Sequence, residues 1–394
     1  MNSMLNHMTA KRILGLAMVV VGISCGLAQL ANGGASKNAV AQASVVVRPD
    51  AAGMPRIENA KLETRSVTGS LGSTMRELSE KANAPEWVGY SVDEVAGDRG
   101  VCCGNYDSDG NCGTCRLEND HHWTSGTSKT VDQSGGTVKL EGPRQLVVLF
   151  RLESRKVMRI RVASENCTLD AGGLPFVWLM GVKPSESVAL LESFVHAADF
   201  QSRGDRGIGN GALTAIAMHA DSSADRAFAS FVKADRPEEL RRQAAFWLGA
   251  ARGKSGLAAL HQMGKTDPSS DVRAHVAFAL SVSHESSALE EMIRMAHDDS
   301  SSHVRGQALF WLAQEAGNKA VSAISGAIEN DPDTDVKRKA VFALSQLPKD
   351  EGIPKLIEVA QTNRNPEVRK QAMFWLGQSN DHRALEFFEK ILSQ

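Results

Sequence analysis

The residues best suited to chemistry lie in one stretch, VCCGNYDSDGNCGTCRLENDHHW, which runs from Val101 to Trp123. It holds four cysteines, three aspartates, one glutamate and two adjacent histidines. Thiolate sulfur and imidazole nitrogen are ligands that zinc prefers, and four of them close a structural site. One interpretation is therefore a zinc site with the candidate ligands Cys103, Cys112, Cys115 and His121.

The same stretch also has the spacing of a calcium loop and of a redox motif. An EF-hand-like count places four oxygen-bearing side chains at its positions 1, 3, 5 and 12, namely Asp107, Asp109, Asn111 and Glu118. Cys112 stands where the sharp turn of such a loop needs glycine, and no flanking helices are predicted. Cys112 and Cys115 form a C-x-x-C pair, but they lack the strand-to-helix setting of thioredoxin-like proteins. Both alternatives are therefore disfavoured.

The compartment bears on this choice, and the N-terminal segment indicates export. Lys11 and Arg12 precede the apolar run ILGLAMVVVGISCGLA, which is followed by small residues with several possible cleavage sites. The run is shorter than the roughly 20 residues of a comfortable membrane span. We expect residues 1–34 to be an export signal, or an anchor if uncleaved, and residues 35–55 to be a disordered linker. The expected location is the periplasm, the cell envelope or the secreted fraction.

Export favours disulfide bonds over a metal site, because paired cysteines oxidise outside a reducing cytosol. Loss of Cys25 with the signal leaves five cysteines, so at least one stays free or pairs in an unusual way. Closing a loop of about ten residues contributes roughly 2–3 kcal/mol, and the pairing does not follow from the sequence. The disulfide candidates are Cys102, Cys103, Cys112, Cys115 and Cys167.

A small β-rich domain is predicted around this loop, over residues 56–182. Strand patterns occur at WVGYSV, RQLVVLFRL and KVMRIRVAS, and in the last of these Met158, Ile160 and Val162 alternate with arginines, as in a half-buried strand. The segment 71–82 has the pattern of one short helix, with Ser70 or Ser73 as its N-cap. A turn at 170–173 precedes another apolar run, LPFVWLMGV. The cysteine-rich loop 101–123 is the longest loop of this domain.

Beyond residue 183 the sequence repeats itself every 32 residues. The segments LRRQAAFWLG, VRAHVAFALS, VRGQALFWLA, VKRKAVFALS and VRKQAMFWLG begin at Leu240 and recur in register without an insertion. A weaker copy, IGNGALTAIA, begins at Ile208, and a second apolar helix pattern separates the copies. A helix–turn–helix unit of fixed length indicates an α-solenoid, because one unit buries its apolar stripe only against its neighbours. We expect a mainly α chain, with about six repeats over residues 183–394.

These segments resemble HEAT repeats, in particular the short E-Z type that also occurs in phycobilisome-lyase-like proteins. The resemblance covers residues 208–394 and implies an armadillo-like α–α superhelix. In HEAT repeats an aspartate before the first helix and an arginine six residues later form a ladder between neighbouring units. A carboxylate near a helix N-terminus also accepts its unpaired N–H groups, so these charges are expected to be structural. The matching positions are Asp235 and Arg241, Asp267 and Arg273, Asp299 and Arg305, Asp331 and Lys337, and Asn363 and Arg369.

Two enzymatic uses of such repeats can be tested on the sequence. Proteins resembling deoxyhypusine hydroxylase bind two irons through His-Glu pairs in their first helices, and no such pair stands at the corresponding positions here. The His-Glu pair of this chain, His284–Glu285, falls in a turn. Bilin lyases share the repeats, but an exported protein with a cysteine-rich region is a poor setting for pigment attachment. Phosphate-loop, nucleophile-elbow and zinc-protease motifs are also absent from the sequence, so we expect neither an enzyme nor a cofactor.

The remaining function for such repeats is to provide a binding surface, and the aromatic residues of the repeats are the candidates for that surface. The position after each phenylalanine alternates between Trp and Ala. One interpretation is that these rings fill the seams between successive first helices. The other is that they form an apolar ridge for a protein or peptide partner. The phenylalanines, which share one register and lie away from the apolar stripe of the wheel, are Phe246, Phe278, Phe310, Phe342 and Phe374.

Composition narrows the class of partner. The net charge is −2 over 394 residues and no basic patch stands out, so nucleic acid is not expected. The membrane would be reached only through an uncleaved N-terminal segment. We therefore expect a non-enzymatic protein-binding or scaffold protein that acts through its repeat surface. The alternative is a metal-binding protein or metal-dependent enzyme with its site in the loop 101–123.

Overall fold

The computed structural model describes residues 53–96, 114–118, 145–200, 207–314 and 318–393, all of which belong to one compact unit. The predicted export segment at 1–34 and almost all of the predicted linker lie outside these residues. So does most of the loop 101–123. Its candidate residues that lie outside the described part are Cys102, Cys103, Asp107, Asp109, Asn111, Cys112 and His121.

Two sheets form the strand-containing region. Its strands are β1 (Ile57–Glu58), β2 (Lys61–Ser66), β3 (Glu86–Asp93), β4 (Thr114–Arg116), β5 (Gln145–Glu153), β6 (Lys156–Ser164), β7 (Thr168–Asp170) and β8 (Pro175–Met180). The larger sheet has the order β2–β8–β3–β5–β6, with parallel pairing at β2–β8–β3 and antiparallel pairing at β3–β5–β6. The smaller sheet is parallel, with the order β1–β7–β4.

The larger sheet is buried on both faces, which explains why its central strands read as continuous apolar runs. In β5, Leu146, Val148 and Phe150 enter the core shared with the helices. Val147 and Leu149 enter a second core against the smaller sheet. Successive side chains of a strand point to opposite faces, so one strand supplies both cores.

Strand β6 departs from the predicted alternation at Met158. Ile160 and Val162 are buried as predicted, but Met158 is 49% exposed. The pairing with β5 shifts there, since Arg151 lies opposite Arg159 while Leu152 lies opposite Val157. A β-bulge of this kind leaves one extra residue out of the ladder, and Met158 is that residue.

In the part of the chain that the structure describes, two α-helices precede the repeats. The predicted short helix is α1 (Leu71–Lys81), and Ser70 caps it by accepting a hydrogen bond of 3.1 Å from the Ser73 N–H. The next helix, α2, spans Pro184–Glu192. Its Glu186 carboxylate accepts from the Leu71 N–H at 2.7 Å and so joins α2 to the start of α1.

Twelve helices form six helix pairs, as the 32-residue period predicts. The pairs are α3 (Ile208–Met218) with α4 (Ser223–Phe231), α5 (Glu238–Ala251) with α6 (Gly253–Thr266), α7 (Ser270–Ser281) with α8 (Ala288–Asp298), α9 (Ser302–Leu312) with α10 (Asn318–Asn330), α11 (Thr334–Gln346) with α12 (Lys349–Thr362), and α13 (Pro366–Gln378) with α14 (His382–Leu392). We call the two members of each pair the first and second helix of a repeat. No helix in the described part of the chain is both long and apolar enough to cross a membrane.

The larger sheet and the first repeat share one hydrophobic core. Helix α3 packs on β6, and an added Cβ at Gly211 would lie 2.4 Å from the Ile160 carbonyl oxygen, so glycine permits this approach. At the ends of β3 and α3 the backbones pair, with the Val95 N–H donating to the Met218 carbonyl at 2.8 Å. The Ala220 N–H likewise donates to the Asp93 carbonyl at 2.9 Å. The strand region therefore covers the N-terminal end of the helical stack.

Candidate functional site

Eight aromatic rings form one continuous row across the first helices α5, α7, α9, α11 and α13. Neighbouring ring centroids lie 4.7–6.2 Å apart, which is the range of favourable aromatic pairs. We call this set the aromatic row. In order along the stack, its members are Trp247, Phe246, Phe278, Trp311, Phe310, Phe342, Trp375 and Phe374.

The alternation of Trp and Ala decides how neighbouring repeats meet. Where the later repeat carries alanine after its phenylalanine, the two phenylalanines stack directly, with interplanar angles of 16° and 8°. Where it carries tryptophan, the indole packs on the preceding phenylalanine instead. Trp311 lies 4.7 Å from Phe278 in this way, and Trp375 lies 5.0 Å from Phe342. Large and small residues therefore alternate to keep the seams filled.

The aromatic row is only half-buried. Seven of its rings are partly exposed, and Phe374 in the last repeat is 54% exposed. The rings thus pack the seams between first helices and are also partly open to solvent. Use of these edges by a partner stays a prediction.

Three arginines of the first helices each make a two-pronged ion pair with an aspartate of the next repeat. In each pair the Nε–Oδ2 distance is 2.7–2.9 Å and the Nη2–Oδ1 distance is 3.0–3.1 Å. Bidentate pairs of this kind are among the strongest hydrogen bonds that proteins make. The pairs are Arg241 with Asp267, Arg273 with Asp299, and Arg305 with Asp331.

Each of these groups is also bonded within its own repeat. The Nη1 of Arg305 donates to the Asp299 carbonyl at 2.8 Å, and Oδ1 of Asp331 accepts from the Asp333 N–H at 2.8 Å. The hydrogen bonds that Arg273 and Arg305 donate to their aspartate partners raise the pKa of each guanidinium above its ordinary value. The ion pairs and these hydrogen bonds together fix both the turn before each first helix and the seam between repeats.

The remaining ladder positions have residues or contacts other than the two-pronged ion pair. Asp235 is exposed, and the register position that would supply its arginine is Gly209. Lys337 donates to the Glu329 carbonyl at 2.7 Å, and Asn363 donates to the Glu329 Oε1 at 3.3 Å, so hydrogen bonds replace the ion pair in this seam. Arg369 donates to the Asn363 carbonyl at 2.8 Å and holds its own turn.

A buried hydrogen-bonded network joins the sheet to the first repeat. The Tyr90 hydroxyl lies 2.7 Å from Ser187 Oγ, which lies 2.8 Å from His219 Nε2. His219 Nδ1 lies 2.7 Å from the Ala215 carbonyl, which can only accept, so Nδ1 carries the proton and Nε2 accepts from Ser187. All three side chains are fully buried, so this Ser–His contact offers no surface to a substrate. Its role is to satisfy polar groups where β3, α2 and α3 meet.

The network predicts a loss of stability in mild acid. Burial lowers the pKa of His219 to about 4 from 6.5, with Arg252 lowering it further and Asp221 opposing. Between those values the unfolded chain binds a proton that the folded chain does not, so the free energy of unfolding falls as pH falls from about 6.5 towards 4. We expect a loss of up to about 3 kcal/mol in urea unfolding. His219→Gln should lack this component, and an unchanged pH slope in that variant would contradict the assignment.

Two of the five disulfide candidates lie in the described part of the chain. Cys115 on β4 and Cys167 next to β7 are each 1% exposed, in the core between the two sheets. Disulfide bonds at both sulfur atoms stay a prediction, and so does the cysteine with which each one pairs. A sulfur in a disulfide would supply no thiolate to zinc, so the two predictions for Cys115 exclude each other. Glu118 is also engaged, because it accepts from Trp87 Nε1 at 2.8 Å and from Arg151.

Alkylation can test this assignment. When the oxidised protein is denatured without reductant, we expect iodoacetamide to leave Cys115 and Cys167 unmodified, and to modify both after reduction. Peptide mapping by mass spectrometry reads out each position. Modification of either cysteine before reduction would show a free thiol there and would reopen the zinc alternative.

Most candidate ligands of the metal alternative lie outside the described residues, so that alternative stays a prediction. Within those ranges no group of three or more His, Cys, Asp and Glu side chains is arranged to hold a metal ion. His284 and Glu285 lie between α7 and α8, where His284 is exposed. First-helix positions that would carry iron ligands hold other residues, such as Arg242 and Gly306.

Comparisons with known proteins agree with this architecture. The family model for HEAT repeats matches residues 226–313 and 321–394. No curated protein sequence matches the chain.

Solved structures that resemble it include the complex of CpcE and CpcF of phycocyanin lyase from Nostoc sp. PCC7120, at 20% identity and a TM-score of 0.31, over 39% of this chain and 99% of that one. Human deoxyhypusine hydroxylase in complex with glycerol is 18% identical, with a TM-score of 0.24 over 52% of this chain and 90% of that one. Kap95p, in a structure with RanGDP, is 17% identical, with a TM-score of 0.31 over 52% and 33% of the respective chains. At these values the structural likeness carries no conclusion about activity. The repeats that match the family nevertheless identify the C-terminal part of the chain as a HEAT-repeat α-solenoid, preceded by a small strand-containing region.

Proposed function

We propose that this protein is a non-enzymatic scaffold that binds another protein through the first-helix face of its HEAT repeats. The observation that carries the proposal is the aromatic row, which runs across five repeats and is partly exposed along its length. Aromatic residues contribute a large share of binding energy at protein interfaces, because they bury much apolar area at little entropic cost. The stacking of the rings on one another also holds the half-buried row rigid, so its side chains lose little conformational freedom on binding.

The length of the row suits an extended protein contact. First helices pack about 8–10 Å apart, so five of them span roughly 35–40 Å. A face of that length can approach the size of a standard protein interface, about 800 Å² on each side. HEAT repeats are commonly used as protein-binding surfaces, which supports the same assignment.

Export to the periplasm, the cell envelope or the secreted fraction is part of the proposal. It is supported by the basic and apolar segments at the N-terminus and by the buried cysteines of the strand region. N-terminal sequencing of the protein from fractionated cells tests it, since export with cleavage predicts a start within residues 29–42. A full-length protein confined to the cytosol would overturn this part alone.

Phe374→Ser tests the binding face with little damage to the fold. Because Phe374 is 54% exposed, we expect less than about 1 kcal/mol of lost stability in urea unfolding. The proposal predicts that proteins co-purified with the wild type from its native fraction are lost with this variant. Leu385→Ser is the matched control, since Leu385 is 64% exposed but lies on the second helix α14. Equal co-purification with both variants would contradict the proposal.

A further inference from the structure

We infer that the aromatic row binds an extended, acidic peptide segment with apolar side chains at about every third residue. This inference rests on the proposed function and names the chemistry of the partner. It is carried by the distribution of charge around the row, by the placement of two lysines and by the spacing of the first helices.

Charge is segregated along the first helices. From one turn before each phenylalanine to the end of its helix, no first helix from α5 to α13 contains a carboxylate. The second helices carry both signs, and the whole chain has a net charge of −2, so this absence is local. The ionisable residues within those stretches are Arg242, His275, Arg338, Lys339 and Lys370.

Two of these cations lie beside the row without a carboxylate partner in the described residues. The Lys339 side chain reaches across to the preceding repeat. A Cβ added to Gly306 would lie 2.4 Å from the Lys339 Cδ. Gly306 is four residues before Phe310 and hence on the same helical face, so the Lys339 ammonium group borders the row. Lys370 stands four residues before Phe374 and is exposed. Arg242 and Arg338 have acidic partners in their own first turns.

The spacing of the helices favours an extended occupant. An extended or polyproline-like chain advances about 3.1–3.3 Å per residue, so three residues cover the roughly 9–10 Å between first helices. A segment of about twelve residues therefore spans the row with four apolar side chains, one for each step between neighbouring first helices, and with carboxylates toward Lys339 and Lys370. Surface charges of this kind set the choice of partner and the rate of association more than the affinity itself.

The geometry of the rings argues against single-stranded nucleic acid as the occupant. Nucleic-acid platforms offer free aromatic faces on which bases stack. Here Phe246 stacks on Phe278 at 16°, and Phe310 stacks on Phe342 at 8°, so ring faces are turned to neighbouring rings. The edges that remain suit aliphatic and aromatic side chains.

A displayed library of random twelve-residue peptides, selected on the purified full chain, tests the inference. We expect the enriched peptides to be net acidic, with apolar residues about three positions apart. In fluorescence polarisation, Lys339→Glu/Lys370→Glu should weaken their binding about tenfold or more, and 0.5 M salt should weaken it as well. Lys254→Glu/Lys265→Glu makes the same change of net charge at exposed positions of the second helix α6, and it should alter affinity less than about twofold.

Any of three results with the peptides would overturn the inference: neutral or basic enriched peptides, no enrichment, or binding that survives the double charge reversal. Binding of a twenty-nucleotide oligo(dT) that is as tight as that of the enriched peptides, or tighter, would also overturn it. If the enriched peptides are not acidic but bind the Phe374→Ser variant more weakly than wild type, only the acidic class of partner is excluded. If peptides of any charge bind the Phe374→Ser variant and wild type equally, the proposal that the first-helix face is the binding surface is contradicted as well.

Discussion

Arg305→Ala is expected to lower the free energy of unfolding by about 3–5 kcal/mol. The guanidinium is paired with Asp331 at 2.7 Å, and both side chains are less than a tenth exposed. Its removal leaves the Asp331 carboxylate buried without its counter-charge, and the Asp299 carbonyl loses a donor. Because Arg305 lies in a central repeat, the loss loosens the seam with the next repeat, and solenoid stability depends on such seams. Urea unfolding followed by circular dichroism measures the effect.

The chain contains its own control for this prediction. Lys337 occupies the same register one repeat later, but it makes a single hydrogen bond to the Glu329 carbonyl and faces Asn363 rather than an aspartate. Lys337→Ala should therefore cost less than about 1 kcal/mol. The double variant Arg305→Ala/Asp331→Ala should cost less than Arg305→Ala alone, since no unpaired charge remains. Equal costs at Arg305 and Lys337 would show that the ladder is not a main source of stability.

Gly249→Ala is expected to destabilise the protein by about 2 kcal/mol or more, whereas Gly377→Ala should be neutral or stabilise it by up to about 1 kcal/mol. The two glycines stand at the same register position of their repeats. An added Cβ at Gly249 would lie 2.0 Å from the Ala279 carbonyl oxygen of the next first helix, so α5 and α7 would have to move apart. At Gly377 the same Cβ meets no atom within 4 Å.

Thermal or urea unfolding of the two variants compares one chemical change in two surroundings. Helix propensity favours alanine at both positions by a similar amount, so the difference between them reports the close approach of the helices. A Gly249→Ala variant as stable as wild type would mean that the first helices do not pack as closely as this structure has them.

The repeats and the strand patterns could be predicted from sequence because both are local and periodic. Five in-register copies predict the helix pairs, and those helices are confirmed to within a few residues. The alternation in β6 failed at Met158 because a bulge depends on how β6 pairs with β5, which the sequence of β6 alone does not contain. The network of Tyr90, Ser187 and His219 was missed for a related reason. Its members are 97 and 32 residues apart and share no motif.

The candidate site was predicted in part. The phenylalanine register was visible, but the order of rings in the row was not, because it depends on which seam receives a tryptophan. The ladder spacing was visible as well, whereas the replacement of its fourth ion pair by hydrogen bonds to Glu329 follows from packing. The basic border of the row was hidden by a net charge near zero, since the second helices and turns supply the balancing carboxylates.

Site-specific photo-crosslinking in the native cell fraction tests the central claim most directly. p-Benzoylphenylalanine in place of Phe374 lies on the aromatic row, and in place of Leu385 it lies at an equally exposed position of the second helix α14. Binding through the first-helix face predicts a protein cross-link from position 374 that position 385 does not give. A cross-link from position 385 with none from position 374 would contradict it.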